Sequence, residues 1–218
     1  MTDNQQIKNS LKMLSVFVLM TMLTGCFGLG SKADDDGDGE PHYYIVDVDR
    51  GVVASAFPKN RVLLIQPVRV TSHYRSKSLV FRIGENEYQT QKNHLFFSEP
   101  QTMFIEQLKR WLQKSGQFSH VTTDESVAAD MVLESAVTAL YGDKREAFSP
   151  QAVLEMQFFL MDGQQNTSQA LFQAGLKVEV DIEETTANNV VKGWKQGLEQ
   201  LLATLEDDFS GYFLKRNP

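Results

Sequence analysis

The sequence holds a single cysteine, Cys26, among 218 residues. An odd count excludes a fully paired internal disulfide framework and leaves that sulfur free, bridged to another chain or covalently modified. Basic charge is also scarce: 21 lysines and arginines face 28 acids, giving a formal charge of −7 and a pI near 5.1. Basic residues gather no further than pairs such as Lys109-Arg110. A nucleic-acid binder needs a basic stripe that releases counterions from phosphates, so no nucleic-acid partner is expected. A long apolar run is missing from the start of the chain: Met13 to Leu23 rises only about 16 Å as a helix, short of the roughly 30 Å hydrocarbon core. Catalytic patterns are missing as well. His42, His73, His94 and His120 are scattered, with no His-x-x-x-His pair for zinc, no Gly-x-Ser-x-Gly elbow and no Ser-x-x-Lys. Acid pairs such as Glu183-Glu184 and Asp207-Asp208 fall at helix ends or on helix surfaces, where solvation is the default. We expect no enzyme and no metal site.

What is present gives the cysteine a reason. Lys8 and Lys12 precede the apolar run and small residues follow it, which is the order of a secretory signal. A buried core helix is the alternative, but the segment has no polar face to turn outward. The run closes on Leu23-Thr24-Gly25-Cys26, which resembles the lipobox of bacterial lipoproteins. The resemblance implies cleavage before Cys26, a diacylglycerol on its sulfur and an acyl chain on the new N-terminus, with no further cofactor. Several acyl chains, at about 0.8 kcal/mol per buried methylene, hold where a single chain binds only marginally. Loss of residues 1–25 takes the formal charge to −8. The residue after the cysteine is Phe27 rather than aspartate. Under enteric-type sorting this points to the outer membrane, with the protein lipid-anchored on the periplasmic face.

Residues 26–41 comprise that cysteine and a tether of glycine, serine and acid. Asp34, Asp36, Asp38 and Gly39 match the first, third, fifth and sixth positions of an EF-hand calcium loop, but Ile45 stands where the bidentate glutamate belongs. The segment reads as a self-repelling spacer that lifts a domain off an anionic membrane. Gly25, Gly28 and Gly30 lie in signal and tether, so they form no phosphate loop.

Residues 42–218 read as a single α+β domain: a mainly antiparallel sheet with two amphipathic helices packed on one face. "HYYIVDV" (42–48) and "RVLLIQPVRV" (61–70) are strand segments, with a bulge or an edge at Pro67. Gly84-Glu85-Asn86 joins two more strands as a hairpin. Ser98-Glu99-Pro100-Gln101 has the form of a capping box, followed at helical spacing by Phe104, Ile105, Leu108, Trp111 and Leu112, and Ser115-Gly116 ends that helix. In residues 152–160 and 170–182 the apolar positions share one parity, with Gln173, Lys177, Glu179 and Asp181 on a wet face; Asp162-Gly163 turns between them and residues 131–141 pair alongside. The last helix, from about Ala187 to Phe213, carries the stripe Val191, Trp194, Leu198, Leu201, Leu202, Leu205 and Phe209.

The order of these segments resembles the ABC-type transport auxiliary lipoprotein family, the group containing the paraquat-inducible protein C-like lipoproteins. The carrying features are Tyr43-Tyr44, Val68 and Val70, Tyr74-Arg75, Leu79-Val80-Phe81-Arg82, the helix with Leu108 and Leu112, "SGQFSHV", "ADMVLESAVTALYGD" and the closing helix, over roughly residues 42–213. Where members carry a tryptophan-centred segment before the first helix, this chain has "NHLFFSEP", so Phe96 or Phe97 takes that place. The resemblance implies a non-catalytic periplasmic component of a system that moves lipid between membranes, with an MCE-domain protein as partner. Tyr74, Arg75 and Arg82 are the candidate partner-facing residues, since tyrosine and arginine often anchor interfaces. Homo-oligomerisation stays open. The alternative is a lipoprotein activator or scaffold of cell-wall synthesis or outer-membrane assembly, which would share the anchor, the acidic tether and a small α+β domain.

Overall fold

A computed structural model describes residues 39–52, 61–164 and 169–216. The signal segment, Cys26 and the acids of the tether before Gly39 lie outside the described residues. Among the described residues, nine strands and two helices follow in order: β1 His42–Tyr44, β2 Val62–Ile65, β3 Arg69–Val70, a 3-10 turn Ser72–Tyr74, β4 Ser78–Arg82, β5 Tyr88–Phe96, α1 Pro100–Ser115, β6 His120–Thr122, β7 Met131–Asp143, β8 Gln151–Asp162, β9 Phe172–Asp181 and α2 Ala187–Arg216.

β7 is the spine of the sheet. Along one edge it pairs antiparallel with β8 for its full length, and β8 pairs antiparallel with β9. Along its other edge β2, β3 and β4 line up in turn, all parallel to it. β6 adds in parallel to β2, β5 antiparallel to β4, and β1 in parallel to β5. The sheet is therefore mixed, not simply antiparallel. The long ladders are antiparallel, and each parallel pairing spans only two or three residue pairs. Parallel neighbours need a crossover, and α1 with its flanking segments supplies the one that brings β6 beside β2.

Pro67 splits the expected 61–70 strand into two. It has no N–H to give to a ladder, yet pairing resumes on both sides of it: Gln66 N donates to Leu133 O at 3.0 Å and Thr71 N to Val137 O at 3.0 Å. The 42–48 strand is also shorter than its composition suggested. After Tyr44 the chain leaves the sheet to drop Val46 and Val48 into the core, and Val48 N donates to Gln107 Oε1 of α1 at 3.0 Å. The hairpin at Gly84-Glu85-Asn86 forms between β4 and β5.

The first helix begins one residue later than a capping box at Ser98 requires. Glu99, preceding a proline, is extended (φ −61°, ψ 142°) and serves as N-cap without a side-chain bond, with Pro100 inside the first turn. Gly116 ends the helix in the left-handed region at φ 71°. α2 lies over β8 and β9, and α1 contacts β2, β3, β6 and α2. The α2 stripe is fully used: Trp194, Leu198, Leu201, Leu202, Leu205 and Phe209 are each at most 1% exposed, and each such burial is worth about 1.5–3 kcal/mol. Trp194 N–H donates to Val153 O at 3.1 Å, and its ring rests on Phe96. α2 comes so close to β8 at Gly193 that a Cβ there would stand 2.5 Å from the Cβ of Ala152.

The opposite side of β8 and β9 is wet, with Gln157, Gln173, Lys177, Glu179 and Asp181 exposed. At the far end of β7 this changes. Residues 139–143 are buried on both sides, because Tyr74 and Tyr88 close over Tyr141.

Candidate functional site

That covered end of β7 is where the sequence-derived interface residues fall. The 3-10 turn after β3 folds Tyr74 inward, where it is 7% exposed and stacked on Tyr141 with ring centroids 6.3 Å apart. Tyr88, from β5, meets Tyr141 edge-on at 5.8 Å. Arg82, the last residue of β4, holds its guanidinium 5.8 Å from the Tyr88 ring and 5.9 Å from the Tyr141 ring. Burial, reinforced by the neighbouring Tyr88 phenol, pushes the Tyr74 hydroxyl well above the usual tyrosine range. It stays a neutral O–H at any physiological pH.

Arg82 is fixed from below as well. Its Nε donates to Gly84 O at 3.3 Å and its Nη2 to Glu85 O at 2.7 Å, so the side chain clamps the β4–β5 turn. Arg75 is exposed and its Nη2 donates back to Val70 O at 3.4 Å. The structure thus brings Tyr74 and Arg82 into one aromatic cluster and places Arg75 on the outside of the 3-10 turn.

The parallel register of β4 and β7, with Arg82 opposite Asp143, makes both strands end together. Their following loops emerge side by side and enclose a groove of about 700 Å³, lined by residues 82–85 of one and 144–148 of the other. Lys144 N donates to Arg82 O at 2.8 Å and stitches the two loops. Arg145 forks onto Asp143, with Nε to Oδ1 at 2.9 Å and Nη2 to Oδ2 at 2.6 Å, and its guanidinium lies 4.0 Å above the Phe148 ring. Burial alone would raise the Asp143 carboxyl, but the side-chain and backbone hydrogen bonds from Arg145 and its charge outweigh that and hold it below the usual carboxylate range. Phe148 itself is 56% exposed. The groove therefore offers pre-set guanidinium planes and a phenyl face, groups that grip a partner without covalent chemistry.

Lys144, Arg145 and Phe148 are the residues that sequence reading passed over. Their signal was available: a dibasic step directly after a strand, and an aromatic in an otherwise polar loop. Among the described residues, no group of three or more His, Cys, Asp and Glu side chains gathers in metal-binding geometry.

The sequence model of the ABC-type transport auxiliary lipoprotein component family matches residues 44–206. The chain belongs to this family. As a transport auxiliary lipoprotein it shares its fold with protein XCC0632 from Xanthomonas campestris, assigned to the DUF330 family: TM-score 0.69 at 18% identity, covering 80% of this chain and 98% of the other. A second solved structure, of an uncharacterized protein, superposes with TM-score 0.62 at 18% identity, covering 78% and 99%. At such identities the likeness speaks for the fold alone. No curated protein matches the sequence. The auxiliary lipoprotein's family match begins at Tyr44, inside β1, and ends at Glu206 in α2, so the aromatic cluster and both groove loops lie within it.

Proposed function

We propose that this protein is a membrane-anchored, non-catalytic auxiliary component of an MCE/ABC-type intermembrane lipid transport system. Cys26 carries the diacylglycerol and N-acyl chain, residues 26–41 tether the domain, and with Phe27 rather than an aspartate after the cysteine the lipoprotein passes to the periplasmic face of the outer membrane. The domain docks an MCE-domain protein through the groove between the β4–β5 turn and the β7–β8 loop. The observation that carries this reading is the groove's make-up: Arg82 and Arg145 are each braced by hydrogen bonds and an aromatic ring beside an exposed phenylalanine, so little side-chain entropy is lost when a partner arrives. Arg75 stands on the same end of the sheet as a peripheral contact, and Tyr74 supports the groove from beneath.

In-cell photocrosslinking tests this. A photoreactive residue is placed at Arg75, Arg82 or Phe148 in turn, and captured proteins are identified by mass spectrometry. Recovery of an MCE-domain protein from Arg82 and Phe148 is the expected result. Reproducible capture of only wall-synthesis or outer-membrane assembly proteins would replace the transport reading with the scaffold one.

A further inference from the structure

The edge formed by β1 and β5 carries an apolar patch that neither the core nor the groove uses. Tyr43 pairs with Leu95 in the parallel register, and Phe97 N donates to Tyr44 O at 2.8 Å, so pairing continues one step past the strands. Side chains alternate with a period of two. Tyr43, Ile45, Leu95 and Phe97 therefore share one side of this ribbon, while Phe96 turns the other way onto Trp194. The Tyr43 and Phe97 rings meet edge-on at 6.1 Å, which confirms the common side. Tyr43 is 56% exposed, Ile45 59% and Phe97 64%. Lys77 sits at the rim, its ammonium donating to Phe97 O at 3.0 Å.

The chain's own covalent order says what covers this patch. The domain begins at His42, one residue before Tyr43, and only 15 residues lie between Cys26 and His42. Sixteen covalent steps reach at most about 55 Å. A bilayer holding Cys26 is thus always within reach of this corner of the domain, at an effective concentration that needs little intrinsic affinity. Tyrosine, phenylalanine and aliphatic side chains with a lysine at the rim suit the boundary between headgroups and acyl chains. Asp34, Asp35, Asp36, Asp38 and Glu40 in the connecting segment oppose approach to an anionic surface, so the matching surface is zwitterionic.

We infer that the Tyr43–Ile45–Leu95–Phe97 patch seats in the headgroup layer of a zwitterionic phospholipid bilayer, the same bilayer that holds the acylated Cys26. This rests on the lipid-anchor reading of Cys26. Seating fixes which end of the domain faces the membrane.

The test uses the full-length protein purified from membranes and reconstituted into vesicles of phosphatidylethanolamine and phosphatidylcholine. Because Cys26 is the only cysteine, Phe97→Cys or Glu199→Cys supplies the one free thiol for a nitrobenzoxadiazole label once Cys26 is acylated. Glu199 is exposed on α2, the helix whose Trp194 meets Phe96 on the side of β5 opposite Phe97. Quenching by spin-labelled lipid should be at least threefold greater at position 97 than at 199, and lower when a third of the lipid is phosphatidylglycerol. Adding Ile45→Asp to Phe97→Cys should bring quenching down to the level at 199 while the protein still floats with the vesicles. Equal quenching at the two positions, in a protein whose native sequence floats and shows no free thiol, overturns the seating and leaves the anchor intact; the patch then belongs to a protein partner. Quenching that rises with phosphatidylglycerol overturns the assignment to a zwitterionic surface. A free thiol at Cys26 with no flotation overturns the anchor and the seating together.

Discussion

Between Met131 and Asp181 the chain is ordered by backbone ladders that run the length of each strand, under a helix whose apolar stripe is buried without gaps. Between His42 and Asp130 the strands are mostly short, and specific side chains complete what the ladders do not. Val62 N donates to Asp130 Oδ2 at 2.8 Å while Asp130 N returns a bond to Val62 O. Asp47 pairs with Arg110, and Asp49 with Lys114 at 2.5 Å, holding the segment after β1 against α1. Ser119 Oγ donates to Arg61 O at 2.9 Å. One region is thus stabilised chiefly by area removed from water, the other by a larger share of placed polar contacts. The first should respond to volume changes, and the second should respond to charge, salt and pH.

The largest effect belongs to the residue that joins the regions. Trp194 is 1% exposed, spans β7 and β8, and touches Phe96 of β5. Trp194→Ala should cost about 3–5 kcal/mol, read as a lower urea midpoint. A loss under 1 kcal/mol would mean the two regions do not share a core. Next is the tight seat of α2. Gly193→Ala gains helix propensity but forces a methyl against Ala152, for a net loss of about 1–2 kcal/mol. Ala152→Gly in the same chain should recover most of it. Absence of recovery in the double-mutant cycle would separate the helix strain from the sheet contact.

The Asp143–Arg145 fork, a charged exception within the Met131–Asp181 region, comes third. Its carboxyl is held low in the folded state, so its contribution is present above the ordinary carboxylate pKa and disappears as pH falls through the depressed value. Asp143→Asn should therefore melt below the native protein at pH 7, with the two curves converging in acid. A gap that widens on acidification would contradict the assignment. The smallest effect is at the exposed pair Asp47–Arg110: Asp47→Asn should change stability by about 0.5 kcal/mol or less, and high salt should erase the difference.

The region that sequence describes well is the one governed by periodicity. The shared parity of Leu154, Met156, Phe158 and Leu160, and of Phe172, Leu176, Val178 and Val180, marks one buried face, and the α2 stripe marks another; local spacing suffices for both. Parallel neighbours carry no such mark. Nothing near Val62 or Arg82 signals pairing with residues of β7 far along the chain, which is why the sheet reads as more antiparallel than it is. Tyr74 sits in a polar stretch, "SHYRS", whose exposed reading depends on ignoring Tyr141. The groove residues left a local signal, but their juxtaposition did not: Arg82 and Arg145 line one groove only because β4 and β7 end in register. Val46 and Val48 alternate as a strand would, yet the partner for Val48 N is a glutamine side chain on α1.

The shared edge of β7 has a consequence for the timing of folding. Strands β2, β3 and β4 each need an edge that lies far later in the sequence, although β4 can close on β5 and β2 on β6 before β7 is in place. β7, β8, β9 and α2 can close on local contacts, and the earlier strands must then be recruited to the free edge of β7. The half that comes first in the chain is thus the last to be fully paired, and it is the half that exposes open strand edges in the interval.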